Sequence, residues 1–230
     1  PFIIYISGID TYGSITTVSR SDVNMIVTVN PNTKKILLTS IPRDYYVTLA
    51  NMQKKDKLTH SGIAGPENTV KTMAKFLGTD INYYARVNFT SLVTMVDALG
   101  GITVNVDRDF SADGYTYKLG LQQMNGKEAL AYSRERHSFA DGDNVRVKHQ
   151  QDVLMAMLNK MMSPAVITNY SSVLKAISGC FETNMASSDI TDLIKTGGAY
   201  MPDSKLYYMI PNDDSVKENL QAIKDVLNGK

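Results

Sequence analysis

Two apolar runs, Val23 to Val29 and Lys35 to Ile41, flank the stretch Asn30-Pro31-Asn32-Thr33. No other feature constrains the fold as much. Proline fixes one turn dihedral, and asparagine tolerates the left-handed region, so the three pieces predict a β-hairpin. Phe2 to Ser7 is a further β-branched run. It ends at Gly8 and leads into a Gly-, Thr- and Ser-rich loop, Asp10 to Ser21.

Beyond the hairpin, strand-like and helix-like stretches are interspersed. Asn51 to Pro66 is polar and reads as a loop. Val70, Met73, Ala74 and Leu77 recur at helical spacing. Tyr83 to Asn88 and Ile102 to Val106 read as strands, with a helix at Ser91 to Leu99 stopped by Gly100-Gly101. Asp113-Gly114 predicts a tight turn between Phe110 and Tyr117. Gly126 to Tyr132 predicts a short helix. Asn144 to Met162 predicts the longest one, with Val153, Leu154, Met157, Leu158 and Met161 as its apolar stripe. Tyr170 to Ile177, Asp189 to Lys195 and Val216 to Leu227 complete the helices, with a strand at Leu206 to Ile210. Interspersed elements of both kinds predict a layered α/β fold.

The chain has 230 residues, 43% of them hydrophobic, enough for a full core; one domain over residues 1–230 is the expectation. A net charge of +1 argues against a nucleic-acid binder that relies on a broad basic surface. The single cysteine, Cys180, allows no internal disulfide. No apolar run is long enough to span a bilayer. The chain starts at Pro1 and enters a strand almost at once, which reads as an excised domain with any anchor upstream. His60, His137 and His149 lack zinc-ligand spacing, and neither a Walker loop nor a Gly-x-Ser-x-Gly elbow is present.

Against that near-neutral background, the arginines are concentrated. Ser133-Arg134-Glu135-Arg136-His137 is followed by Asp141 to Gln151, which contains Arg146, Lys148, His149, Gln150 and Gln151. In an extended segment Arg134 and Arg136 face one side, with Glu135 turned away. Guanidinium forks match phosphate oxygens and keep their charge. Asp143 reads as an N-cap for the following helix, whose first turn suits an anion. Arg146 and Gln150, four apart, share a helix face. Upstream, Arg20 and Asp22 lie together, as do Arg43 and Asp44. Asp10 and Asp22 flank the first loop and could share a hard divalent cation, which takes one or two carboxylates, waters and substrate phosphate. The plain alternatives are a turn role for Asp10 and an Arg20 ion pair for Asp22. Tyr83, Tyr84, Phe89 and the methionines fit either a core or an apolar pocket.

Gly8-Ile9-Asp10, Arg20-Ser21-Asp22, Ile41-Pro42-Arg43-Asp44 and Arg134 through Gln151, in this order, resemble the catalytic domain of the LytR-CpsA-Psr family, its streptococcal capsule members above all. Lys57-Leu58-Thr59-His60-Ser61-Gly62 and the Gly100-Gly101 turn fit the same pattern, and the likeness spans roughly residues 1–165. It implies a mixed central sheet sandwiched between helices, with a hydrophobic pocket for a polyprenyl chain. The implied activity is transfer of a glycopolymer, such as capsule or wall teichoic acid, from a polyprenyl-pyrophosphate carrier to peptidoglycan. The implied location is the outer face of the Gram-positive cell membrane, reached through an N-terminal anchor. Carried over by motif, Asp10 and Asp22 hold Mg²⁺ (or Mn²⁺). Arg20, Arg43, Arg134, Arg136 and Arg146 contact the pyrophosphate, with Gln150 or Gln151 positioning it. Asp22 is the first candidate to assist the attacking hydroxyl, and Asp44 the second. The chain departs from the pattern at His149, where many members have Arg; a neutral ring there is a poor anion ligand. Two other readings of the same site are a lipid-pyrophosphate hydrolase and a non-catalytic sensor of lipid-linked glycan that regulates capsule production.

Overall fold

The structure, a computed structural model, describes residues 1–140, 142–197, 206–208 and 213–230. In chain order the elements are β1 (Phe2–Gly8), β2 (Val23–Asn30), β3 (Lys35–Ser40), β4 (Tyr46–Thr48), β5 (Lys55–Lys57), α1 (Pro66–Leu77), β6 (Tyr83–Val87) and α2 (Phe89–Ala98). Next come β7 (Ile102–Val106), β8 (Phe110–Ala112), β9 (Tyr115–Tyr117), β10 (Gly120–Met124), α3 (Gly126–Arg134) and α4 (Gly142–Met161). The chain closes with α5 (Pro164–Thr168), α6 (Tyr170–Ile177), β11 (Glu182–Thr183), α7 (Ser187–Gly197), β12 (Leu206–Tyr208) and α8 (Asp213–Leu227). These form two compact units: the described residues of 1–88, 181–187 and 199–230, and those of 89–180 and 188–198.

The first unit carries a six-stranded mixed sheet, ordered β11-β6-β1-β2-β3-β12. The predicted hairpin lies in its interior: β2 and β3 pair antiparallel, with Asn30 opposite Lys35 at the turn. β1 pairs antiparallel with β2 and parallel with β6. Interior strands must be apolar on both faces, and β2 is buried along nearly its whole length. Ile3, Tyr5, Ile26 and Leu37 pack on one side with Met73 and Leu77 of α1 and Ile223 of α8. Met25, Val27, Val29, Ile36 and Leu38 fill the alternate positions and are buried as well. α1 starts with Pro66 in its first turn, where a missing N–H costs nothing, and stops at Gly78 in the left-handed conformation (φ 65°).

The second unit has its own core, built from Val96, Ile102, Val104, Tyr117, Met124, Tyr132, Val153 and Met157. β7 pairs with β10 and β8 with β9, both antiparallel. Asp113 (φ 48°) and Gly114 (φ 83°) make the predicted turn between β8 and β9. α3 opens on a capping box: Asn125 Oδ1 accepts from the Lys127 and Glu128 amides, and Glu128 Oε2 accepts from the Asn125 amide at 2.8 Å.

The structure revises several sequence expectations. The polar stretch 51–66 is not a plain loop; it holds β5 and a 3-10 turn, Leu58–Ala64. α5 was hidden because its five residues are too few to show a period. α4 begins at Gly142, so Asp143 lies inside the first turn rather than at the cap, and Asp141 lies outside the described residues. α4 also buries Gln151, Met155 and Ala156 beside Val153 and Met157, a wider face than the stripe predicted, while Leu154 and Leu158 are half-buried. Of the strand expected at Leu206 to Ile210, residues 206–208 form β12, and residues 209 and 210 lie outside the described residues. Among the described residues no helix is long and apolar enough to cross a membrane.

Candidate functional site

In the first unit, backbone hydrogen bonds gather three sequence-distant segments. The Asp22 amide donates to Gly8 O at the end of β1 (2.8 Å), and the Ser21 amide donates to Thr59 O (3.0 Å). The Thr59 amide donates to Arg43 O (2.8 Å). A β-carbon on Gly62 would press on the Ser21 amide and Ser19 carbonyl, so only glycine lets the 3-10 turn approach this closely. Beneath lies a buried polar network: the Tyr5 hydroxyl donates to Asn24 Oδ1 (2.5 Å) and meets Ser21 Oγ (3.0 Å), which in turn meets Ser7 Oγ (2.7 Å).

On this scaffold Arg43 Nη1 sits 2.9 Å from Asp22 Oδ1, which also accepts from Thr59 Oγ1 at 3.4 Å. Asp44 lies between Arg43 Nε (3.7 Å) and Lys57 Nζ (2.8 Å). Asp10 is exposed, two residues beyond β1. Burial alone would lower the Arg43 pKa. The hydrogen bond to Asp22 and the charges of Asp22, Asp44 and Asp10 outweigh it and raise it. Arg43, Asp22, Asp44 and Asp10 therefore form one electrostatic cluster. The ion pair of Asp22 among the described residues is with Arg43, and Arg20 is exposed.

The second unit carries the remaining arginines. Arg134 ends α3, so the extended geometry expected for Arg134 and Arg136 does not hold; the helix runs two residues further than predicted. The Arg134 guanidinium stacks on the Phe89 ring at 4.6 Å and lies 3.8 Å from Asp113. Arg136 is exposed, its Nε 3.4 Å from His137 Nε2. Gly142 abuts the Arg136 carbonyl so closely that a β-carbon has no room. Arg146 and Gln150 are half-buried one turn apart on α4, and Gln151 is buried.

His149 is fully buried, between Tyr132 (ring centroids 4.0 Å), Phe110 (5.3 Å) and Phe139 (5.7 Å). Its Nδ1 lies 3.1 Å from Tyr132 O, a carbonyl that only accepts, so Nδ1 carries the proton. Burial pushes its pKa down, and the ring is a core element rather than an anion ligand. Lys148 is taken by Asp152 (2.9 Å) and Asp107 (3.5 Å). Of the aromatics read as core or pocket lining, Phe89 supports Arg134 and Tyr83 meets Phe2 edge-on at 5.8 Å.

Among the described residues no group of three or more histidine, cysteine, aspartate or glutamate side chains could hold a metal. Three carboxylates act on Arg43; Asp44 is held by Lys57, which leaves Asp10 and Asp22 as the donor set, with one Asp22 oxygen engaged by Arg43. That chemistry suits Mg²⁺, which completes its shell with water and phosphate, and does not suit a metal that needs an all-protein cage.

Sequence reading missed four contributors. Thr59 and Lys57 lie in a segment that fits the family pattern, but their contacts with Asp22 and Asp44 are tertiary and could not be read from it. Arg86, nearly fully buried in β6, donates to Ile15 O, Thr17 O and Glu182, and so pins the loop that precedes Arg20. His60 Nδ1 lies 2.9 Å from Asp56 Oδ2. The four-residue spacing was legible there, but only within a stretch read as a loop.

A mixed sheet with helices packed on it, and a carboxylate–arginine cluster at the ends of its strands, define an α/β protein with a charged cluster beside its sheet. The chain belongs to the LytR_cpsA_psr family, whose profile matches residues 1–224. It is 33% identical over 244 residues to the polyisoprenyl-teichoic acid–peptidoglycan teichoic acid transferase TagU of Bacillus licheniformis, covering 99% of this chain and 78% of that one. TagU of Enterococcus faecalis is 32% identical over 247 residues, covering 100% and 81%. Among solved structures, B. subtilis TagV superposes with a TM-score of 0.85 at 27% identity, over 99% of this chain and 97% of that one. TagT bound to LI-WTA superposes with a TM-score of 0.80 at 25% identity, over 99% and 90%.

Proposed function

We propose that this chain, as one catalytic domain over residues 1–230, transfers a capsular polysaccharide or similar glycopolymer from a polyprenyl-pyrophosphate carrier to peptidoglycan. The supporting observation is the Arg43–Asp22 pair at 2.9 Å, with Asp10 and Asp44 acting on the same guanidinium. It stands in a chain 33% identical over 99% of its length to a protein named as a polyisoprenyl-teichoic acid–peptidoglycan teichoic acid transferase. Breaking a pyrophosphate places negative charge on the leaving phosphate, and a fixed guanidinium answers that charge without reorganising. Arg43 supplies this in the first unit. By their places in the family motif, Arg20 in the first unit and Arg134, Arg136 and Arg146 in the second are proposed as further pyrophosphate ligands, with Gln150 and Gln151 as neutral donors. Asp10 and Asp22 would hold Mg²⁺ (or Mn²⁺), which supplies charge neutralisation at the phosphate oxygens when bound. A polyprenyl chain requires an apolar pocket and a membrane location. The reading therefore includes action at the extracellular face of the membrane.

The test is incubation with a purified lipid-linked donor and peptidoglycan fragments, followed by mass spectrometry. A covalent glycan–peptidoglycan phosphodiester is the expected product. Polyprenyl phosphate release without that product makes the chain a hydrolase, and donor binding without turnover makes it a sensor.

A further inference from the structure

We infer that the Asp56–His60 pair is the general base that deprotonates the acceptor hydroxyl, an inference that rests on the transfer reading. The two carboxylates that sequence reading nominated for this task are otherwise engaged. Asp22 Oδ1 holds Arg43 at 2.9 Å and Thr59 at 3.4 Å. Asp44 is bracketed by Lys57 at 2.8 Å and Arg43 at 3.7 Å. Hydrogen bonding from Lys57 holds the Asp44 carboxyl below its ordinary value, against its partial burial, with the charges of Lys57 and Arg43 adding to it. A carboxylate stabilised in this way has little appetite for a proton.

His60 has the opposite arrangement. Its Nδ1 lies 2.9 Å from Asp56 Oδ2. An ionised carboxylate only accepts, so Nδ1 carries the proton and the lone pair resides on Nε2. Asp56 is itself fixed: β5 pairs with β4, placing Asp56 opposite Val47, and Asp56 Oδ1 accepts from the Lys57 amide at 2.7 Å. A base oriented by a carboxylate through its far nitrogen is the arrangement that activates hydroxyl nucleophiles elsewhere.

The pair also belongs to the Arg43 cluster. His60 follows Thr59, which bonds the Arg43 carbonyl through its amide and Asp22 through its hydroxyl. The side chain is about one-third exposed, so an incoming sugar hydroxyl can reach it. In the step, the acceptor O–H proton moves to His60 Nε2 while the hydroxyl oxygen forms a new bond to the glycan-side phosphorus. The bond from that phosphorus to the bridging oxygen breaks, and its electron pair leaves on polyprenyl phosphate. The imidazolium then returns its proton to solvent or to the leaving phosphate.

The experiment compares wild type, His60→Gln, His60→Asn and Asp56→Asn with purified lipid-linked donor and peptidoglycan fragments from pH 5 to 9, with donor affinity measured separately. Variants are first matched to wild type by melting temperature, and the matched His60 variant is read. The expected result is a kcat lower by roughly 10²–10³-fold with unchanged donor affinity. The acidic limb of the rate profile should vanish, added imidazole should restore part of the rate, and Asp56→Asn should shift the limb with a smaller loss. A His60 variant within threefold of wild type and with the acidic limb intact overturns the assignment while leaving transfer standing. Wild type that makes no product overturns transfer and the base assignment together.

Discussion

At the scale of single residues, charge placement separates Arg43 from the other arginines. It sits about one-third exposed against a carboxylate that is itself mostly buried, so its fork is held in place. Arg43→Ala should lower kcat by roughly 10²–10³-fold, the loss typical of one preorganised donor, with the melting temperature near wild type. Steady-state turnover with the lipid-linked donor checks this. His149 shows the reverse case, a titratable side chain used as core. Its pKa is lowered in the folded state, so the unfolded chain takes up the proton first as pH falls. Stability is therefore full above the ordinary histidine value of about 6.5 and declines below it, toward the depressed folded value. Urea midpoints at pH 7.5 and pH 5.0 should differ in wild type and differ less in His149→Phe. The neighbouring charges that face the ring, Asp152, Lys148 and Asp107, remain in both proteins.

At the scale of elements, the approach of β1, β2 and the 3-10 turn rests on the buried network of Tyr5, Ser7, Ser21 and Asn24. Tyr5→Phe removes one hydroxyl without changing shape. It leaves buried partners short of a donor, and should cost about 1–3 kcal/mol of stability. The urea midpoint should fall with an unchanged slope; an unchanged midpoint would show the network to be dispensable. The β2–β3 hairpin, the Asp113-Gly114 turn and α6 were legible because turn chemistry and periodicity are local. β5 was not, because Lys55-Asp56-Lys57 has no strand composition and forms only by pairing with β4. Nor was the end of α3: Arg134 continues the helix while its side chain stacks on Phe89, a ring 45 positions earlier.

At the scale of the whole molecule, the chain presents two units, each with its own apolar core, and a family profile that runs through both. If the Asp10 and Asp22 carboxylates bind a divalent cation, EDTA should abolish turnover and added Mg²⁺ should restore it. Asp10→Asn should need more Mg²⁺ for half-maximal rate, measured by titration at fixed donor. Sequence by itself determined the layered α/β class, the β2–β3 hairpin, the family and the segments that carry charge. The elements and charged segments follow from patterns within one element's length, and the family from the order of short motifs along the chain. Only the tertiary structure decided the partners: Asp22 with Arg43 rather than Arg20, Lys57 with Asp44, His60 with Asp56, and His149 as a buried ring. The physical reason is that a side chain's role depends on what lies within a few ångströms, and the backbone bonds linking β1, β2 and residues 43 and 59 set those neighbours across tens of residues.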